Sequence, residues 1–258
     1  RAALHMWEEP PISGSRGSGT VFFSGCSLGC VFCQNEEISH KDRGVPVTAE
    51  RLEEICRELV EKGAHNINFV TPTHFAHVLI PLLDGHPFPV PVVWNCGGYE
   101  RVETLRQLEG KVDIYLPDLK YADDRLGKAL SGAGDYFEVA TAAIREMLRQ
   151  TGPVQWDGEK VRKGVIVRHL ILPGFVENSL KVLDWLGDTF APGEIFKPGE
   201  VLVSLMRQYT PMPGMPAPLD RRITDEEYDS VLSWMYLNDL EGFVQDEEAA
   251  DHAFIPDF

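Results

Sequence analysis

Gly19-Thr-Val-Phe-Phe-Ser-Gly-Cys26-Ser-Leu-Gly-Cys30-Val-Phe-Cys33 passes from β-branched and aromatic residues, which suit a pleated strand, into a short loop bearing three cysteines. The local reading is a strand that delivers a loop. Three thiols at spacings of four and three can turn inward on one inorganic centre, and Gly25 and Gly29 give the loop freedom to wrap. The chain holds five cysteines, with only Cys56 and Cys96 outside this loop, so a disulfide framework does not fit. A structural zinc wants four protein ligands; no second Cys pair exists, and His40 stands at no finger or knuckle spacing from Cys33. A four-iron cubane normally takes four thiolates, so Cys26, Cys30 and Cys33 alone leave one iron open to an exogenous ligand. Burial as a small apolar residue is the plain alternative for a lone Cys, and it is the reading taken for Cys56 and Cys96.

Downstream, short apolar runs at 66–71, 90–95, 112–116, 165–172 and 201–205 follow the first at 19–24. Between them lie helical patterns. Thr48 caps one whose Leu52, Ile55, Cys56, Leu59 and Val60 share a face that ends at Gly63; others read at 75–83, 100–108, 123–130, 137–150, 178–187 and 225–240. Strands that alternate with helices run parallel, joined by crossovers. Six such units predict an α/β fold, an incomplete parallel (β/α)6 barrel, with its chemistry at the carboxyl ends of the strands. There stand Cys26, the group Thr71, Thr73 and His74, then Asn95, the pair Asp118 and Lys120, the pair Arg168 and His169, and finally Gln208 with Tyr209. Residues 150–164 and 211–218 read as surface loops. One domain spans 1–258, with 1–18 as an N-terminal arm and 245–258 as a C-terminal extension.

The chain has 258 residues, 24 basic and 40 acidic, for a net charge of −16. That charge repels phosphate backbones and anionic lipid, so neither nucleic acid nor membrane is expected as a partner. No stretch approaches the ~18 consecutive apolar residues of a membrane span, and residues 1–18 show no charged-then-apolar pattern, so they are not expected to be a targeting signal.

The Cys-x3-Cys-x2-Cys spacing, with Phe32 just before the last cysteine, resembles the radical S-adenosylmethionine (SAM) superfamily. The string from Gly19 through Cys33-Gln-Asn35 is similar to the branch typified by pyruvate formate-lyase activating enzymes, as are Trp7-Glu-Glu-Pro, Val70-Thr-Pro-Thr-His74, Asp118-Leu-Lys120, Arg168-His169 and Gln208-Tyr-Thr-Pro211. The resemblance implies a [4Fe-4S] cluster on Cys26, Cys30 and Cys33 and SAM on the open iron. It implies reductive cleavage to a 5′-deoxyadenosyl radical, which takes hydrogen from a small molecule or from a glycine of a partner enzyme. A reducing electron donor such as flavodoxin or ferredoxin, and a cytoplasmic setting, belong to the same expectation.

Phe32 is expected against the adenine or in the core. Arg168, a charge inside an apolar strand, pairs with the SAM carboxylate or with a structural Asp or Glu. Asp118 and Lys120 point to one side of an extended segment and can grip an amine and a carboxylate together, or pair with each other. Thr71 and Thr73 stand where the activating enzymes carry a Gly-Gly-Glu motif for the SAM amine, and Asn95 where they carry an Asp-Thr-Asn-Gly stretch. Gln34 and Asn35 are expected to hydrogen-bond near the cluster or SAM. His74, His169, Tyr115 and Tyr209 are the candidates to line the substrate pocket or relay protons, and Lys120 joins His74, His169 and Tyr209 as a catalytic candidate. A non-catalytic iron-sulfur electron carrier or sensor is the competing function, but it leaves Asp118, Lys120 and Arg168 without a common purpose.

Overall fold

The computed structural model describes residues 1–41, 43–85, 87–190 and 200–245. Its centre is a nine-stranded, open sheet in the order β1-β2-β3-β4-β5-β7-β8-β9, with β6 paired to β7. Strands β2 (Ser18–Phe22), β3 (Ile67–Val70), β4 (Val92–Cys96), β5 (Ile114–Pro117), β7 (Lys160–Leu170) and β8 (Val201–Met206) are the six expected ones, and each pairs in parallel with the next. β3 and β5 are buried along their whole length, as strands covered on both faces must be.

Helices α3 (Ala49–Glu61), α4 (Ala76–Leu82), α5 (Val102–Gln107), α6 (Asp124–Ser131), α7 (Tyr136–Thr151), α8 (Val176–Phe190) and α9 (Asp225–Leu237) fill the intervals. Their starts follow from local chemistry. Thr48 Oγ1 accepts from Arg51 N–H at 3.2 Å, and Thr224 with Glu227 forms a reciprocal capping box.

Strand periodicity sorts the core into two layers. Ile67, Phe69, Trp94, Tyr115, Val165 and Val167 pack toward the helices. Val93, Ile114, Leu116, Ile166 and Leu202 face the barrel interior, where Ile12 joins them fully buried. Ile12 belongs to the stretch expected as an N-terminal arm, 1–18. Residues Ala2–His5 form β1, antiparallel to β2, and Pro10–Ser13 form α1, so the segment between them enters the interior.

The stretch 150–164 is likewise not a plain loop, because β6 (Gln155–Asp157) and the start of β7 form an antiparallel hairpin. The last helix ends at Leu237, and Gly242–Val244 form a further parallel strand, β9, on β8. Gln208-Tyr209 and 211–218 lie outside regular elements as expected, and the extension beyond Gln245 lies outside the described residues.

Candidate active site

A cavity of about 320 Å³ opens at the carboxyl ends of the strands. Its wall includes Cys26, Cys30, Cys33, Phe32 and Asn35 from the loop after β2, Thr71 after β3, Asn95 of β4, Asp118 and Lys120 after β5, and Arg168 of β7. Ten residues expected from five strand ends thus share one space.

The cysteine loop is held by hydrogen bonds to its sulfurs, two local and one from Ser131. Leu28 N–H donates to Cys26 Sγ at 3.4 Å, Ser131 Oγ donates to Cys30 Sγ at 2.9 Å, and Cys33 Sγ lies 3.3 Å from Ser39 Oγ. Burial pushes the Cys26 and Cys30 thiols above their ordinary range, and the Lys120 charge pulls the other way. Phe32 is buried, 6.3 Å from the Tyr209 ring. Gln34 Nε2 donates to the Gln208 carbonyl at 2.7 Å, tying this loop to the end of β8. Asn35 precedes a short helix, Glu36–Ser39 (α2), without capping it through its side chain.

Asp118 and Lys120 form an ion pair on the cavity wall. Burial works against the Lys120 charge, but Asp118, then Cys30 and Tyr136, together outweigh that cost and hold the ammonium well above its usual range. The backbone under the pair is clamped from two sides. Tyr136 Oη accepts from Lys120 N–H at 3.0 Å and reaches the carbonyls of Asp118 and Gly97, while Asn178 donates to the Lys120 carbonyl and accepts from Ala122 N–H, both at 2.9 Å. Gly98, at φ 77°, makes the close approach possible, since a Cβ there would stand 2.0 Å from the Asp118 carbonyl oxygen.

Arg168 meets protein carboxylates. Its Nε donates to Glu9 Oε1 at 2.8 Å and one terminal nitrogen to Glu9 Oε2 at 2.5 Å, and the same nitrogen contacts Glu8. Of the two expected partners, the structural Glu is the one found. Glu8 and Glu9 also line the cavity; sequence reasoning assigned them no role, although the Trp7-Glu-Glu-Pro string was a signal.

Four expected residues stand off the cavity wall. Thr73 Oγ1 donates to the buried carboxyl of Glu100. His74 supports the cysteine loop from beneath, with Nε2 2.7 Å from the Ser24 carbonyl and packed against Gly25. His169 follows Arg168 in β7 and so turns to the opposite face, toward the helices. Its Nδ1 lies 2.7 Å from the Leu119 carbonyl and its Nε2 2.8 Å from Ser179 Oγ, and burial pushes its pKa down to about 4. Tyr209 donates to the Leu219 carbonyl at 2.7 Å, and burial raises it to about 12. Cys56 and Cys96 pack in the core, and burial drives the Cys96 thiol well upward.

The donor set bears on what the loop can hold. Among the described residues no three His, Cys, Asp or Glu side chains converge on one point as a lone ion requires. Three thiols spread along a cavity wall suit a cluster whose thiolate ligands sit on separate irons. Among the described residues, no helix is long and apolar enough to cross a membrane.

Residues 20–186 match the model of the Radical SAM superfamily. A curated relative, an uncharacterized protein of Methanocaldococcus jannaschii, is 29% identical over 241 residues; the match covers 89% of this chain and 64% of that protein, just under two thirds of its length. A radical SAM methyltransferase from Sphaerobacter thermophilus is similar in fold, with a TM-score of 0.63 at 16% identity over 90% of this chain and 67% of its own. A domain of pyruvate-formate lyase-activating enzyme from Bacteroides vulgatus has a TM-score of 0.50 at 13% identity, covering 70% of this chain and 98% of the domain.

Proposed function

The chain belongs to the radical SAM superfamily, which uses a [4Fe-4S] cluster and S-adenosylmethionine, and from that premise we propose that it is a hydrogen-abstracting enzyme of the activating-enzyme-like kind. Its substrate is a small molecule or a glycine of a partner enzyme, and its electrons come from a low-potential donor such as flavodoxin or ferredoxin. The observation that carries this reading is the single cavity shared by Cys26, Cys30 and Cys33 with Asp118, Lys120, Asn95 and Thr71.

When bound, the cluster and SAM supply a carbon-centred radical; the side chains described here bind, orient and shield. Cys26, Cys30 and Cys33 hold the cluster. The Asp118–Lys120 pair offers a carboxylate to an amine and an ammonium to a carboxylate, so the amino acid end of SAM can be gripped at both charges. Phe32, fixed between two thiols, offers an apolar face to a planar base.

Protein reconstituted without oxygen should bind about four irons per chain and convert SAM to 5′-deoxyadenosine when reduced with dithionite. Cys30→Ala should abolish both, and Cys56→Ala should affect packing alone. Iron uptake without deoxyadenosine would instead favour an electron carrier or sensor.

A further inference from the structure

Thr71 is β-branched and precedes a proline, and both features favour extended backbone, yet its φ is 57°. A conformation this unfavourable persists only where the surroundings impose it. The imposing contacts lie on the next strand. Thr71 N–H donates to the Asn95 carbonyl at 2.8 Å, and Thr73 Oγ1 donates to Oε1 of Glu100. Asn95 belongs to β4, and Glu100 follows the Gly97-Gly98 bend just beyond it. The turn Thr71-Pro72-Thr73 is thus pinned at both ends to one neighbouring segment.

Glu100 is costly to keep in this place. It is 1% exposed, and its Oε2 makes no hydrogen bond among the described residues; nor does the indole nitrogen of Trp94 near it. A buried carboxyl bonded at only one oxygen detracts from stability, so packing does not account for it. Direct contact with a ligand does not account for it either. Glu100 and Thr73 stand off the cavity wall, whereas Thr71 and Asn95 are on it. The same turn leads into His74, which supports the cysteine loop at the Ser24 carbonyl. What the carboxyl holds is therefore a segment that faces the cavity at Thr71 and braces the cluster loop at His74.

We propose that Glu100 is a positioning residue for the cofactor: through Thr73 it keeps Thr71 in the left-handed conformation on the cavity wall, so SAM affinity depends on a carboxyl that does not meet SAM. This rests on the reading above that the cavity holds SAM. Without the bond from Thr73 to Glu100, Thr71 relaxes toward extended backbone, and affinity falls with the fraction of chains still competent to bind.

Equilibrium dialysis of cluster-loaded protein reads SAM affinity. Thr73→Val and Glu100→Leu should each weaken it about tenfold with iron still at about four per chain. The double variant should lose no more than either single one. Thr73→Ser, which restores the hydroxyl, should recover the affinity. Thr71→Gly takes a left-handed φ without strain, so in that background Thr73→Val should weaken SAM by no more than about twofold. Hydrogen exchange of the peptide carrying Thr71, in cluster-loaded protein without SAM, should quicken in both single variants and not in Cys56→Ala. Unchanged SAM affinity or unchanged exchange in either single variant overturns the inference. So do losses that multiply in the double variant, a Thr73→Ser protein as weak as Thr73→Val, or a Thr73→Val effect undiminished by Thr71→Gly. Protein that binds SAM but forms no 5′-deoxyadenosine on reduction sinks the hydrogen-abstraction reading, while the affinity series still decides the role of Glu100.

Discussion

Arg168 of β7 and Glu9 of the N-terminal segment, 159 residues apart in the chain, close a two-point ion pair inside the barrel. The pair fastens the turn between β1 and α1 to the interior face of β7, and Glu8, the preceding residue, lines the cavity. Burial works against the Arg168 charge, but Glu9 and then Glu8 outweigh it, so the guanidinium stays charged.

Arg168→Met should therefore cost about 3–5 kcal/mol of stability, because it strands two buried carboxylates. Glu8→Gln should cost less than about 1 kcal/mol, since Glu9 still neutralises Arg168 and an amide oxygen can still accept from Asn68. Urea unfolding of the cofactor-free chain measures both, and similar losses in the two variants would refute the view that Glu9, held at two points, is the main partner of Arg168.

Asp118→Asn and Lys120→Met should each weaken SAM binding at least about tenfold, or ~1.4 kcal/mol. The two losses should be strongly non-additive in the double variant, because each side chain holds the other in place. Equilibrium dialysis of cluster-loaded protein reads this directly. Full additivity would mean that the residues act on separate ligands.

His169 titrates near 4 in the folded chain against an ordinary 6.5, burial being the largest cause. Its folded pKa is depressed, so the unfolded chain binds the proton more readily. The stability it contributes is complete above pH 6.5, declines as pH falls toward 4, and totals on the order of 3 kcal/mol. His169→Gln should flatten that decline in unfolding free energies measured between these limits, and an unchanged slope would place the acid sensitivity elsewhere.

Glu100 should act with the opposite sign. Burial first, against the hydrogen bond from Thr73, raises its carboxyl from 4.5 to about 7. A raised folded pKa gives stability that is complete below pH 4.5 and lost as pH rises through 7. Glu100→Gln should therefore gain stability relative to the native chain at pH 8 and not at pH 4, as read by thermal unfolding in matched buffers.

Much of this molecule is legible in its sequence because local rules act over short spans. The spacing of Cys26, Cys30 and Cys33 marks the cluster loop without any fold, and the apolar runs with their caps give the six parallel strands and the helices between them. Because parallel strands end on one side of a sheet, the same reading brings Thr71, Asn95, Asp118 and Arg168 toward one mouth. Tertiary structure alone decided which way each of those side chains turned and what it met. Adjacent residues in a strand face opposite layers, so Arg168 entered the barrel while His169 joined the helices. The partners of Arg168 came from Glu8 and Glu9, since ion pairing between residues so far apart in sequence follows from how the chain packs, not from any spacing along it.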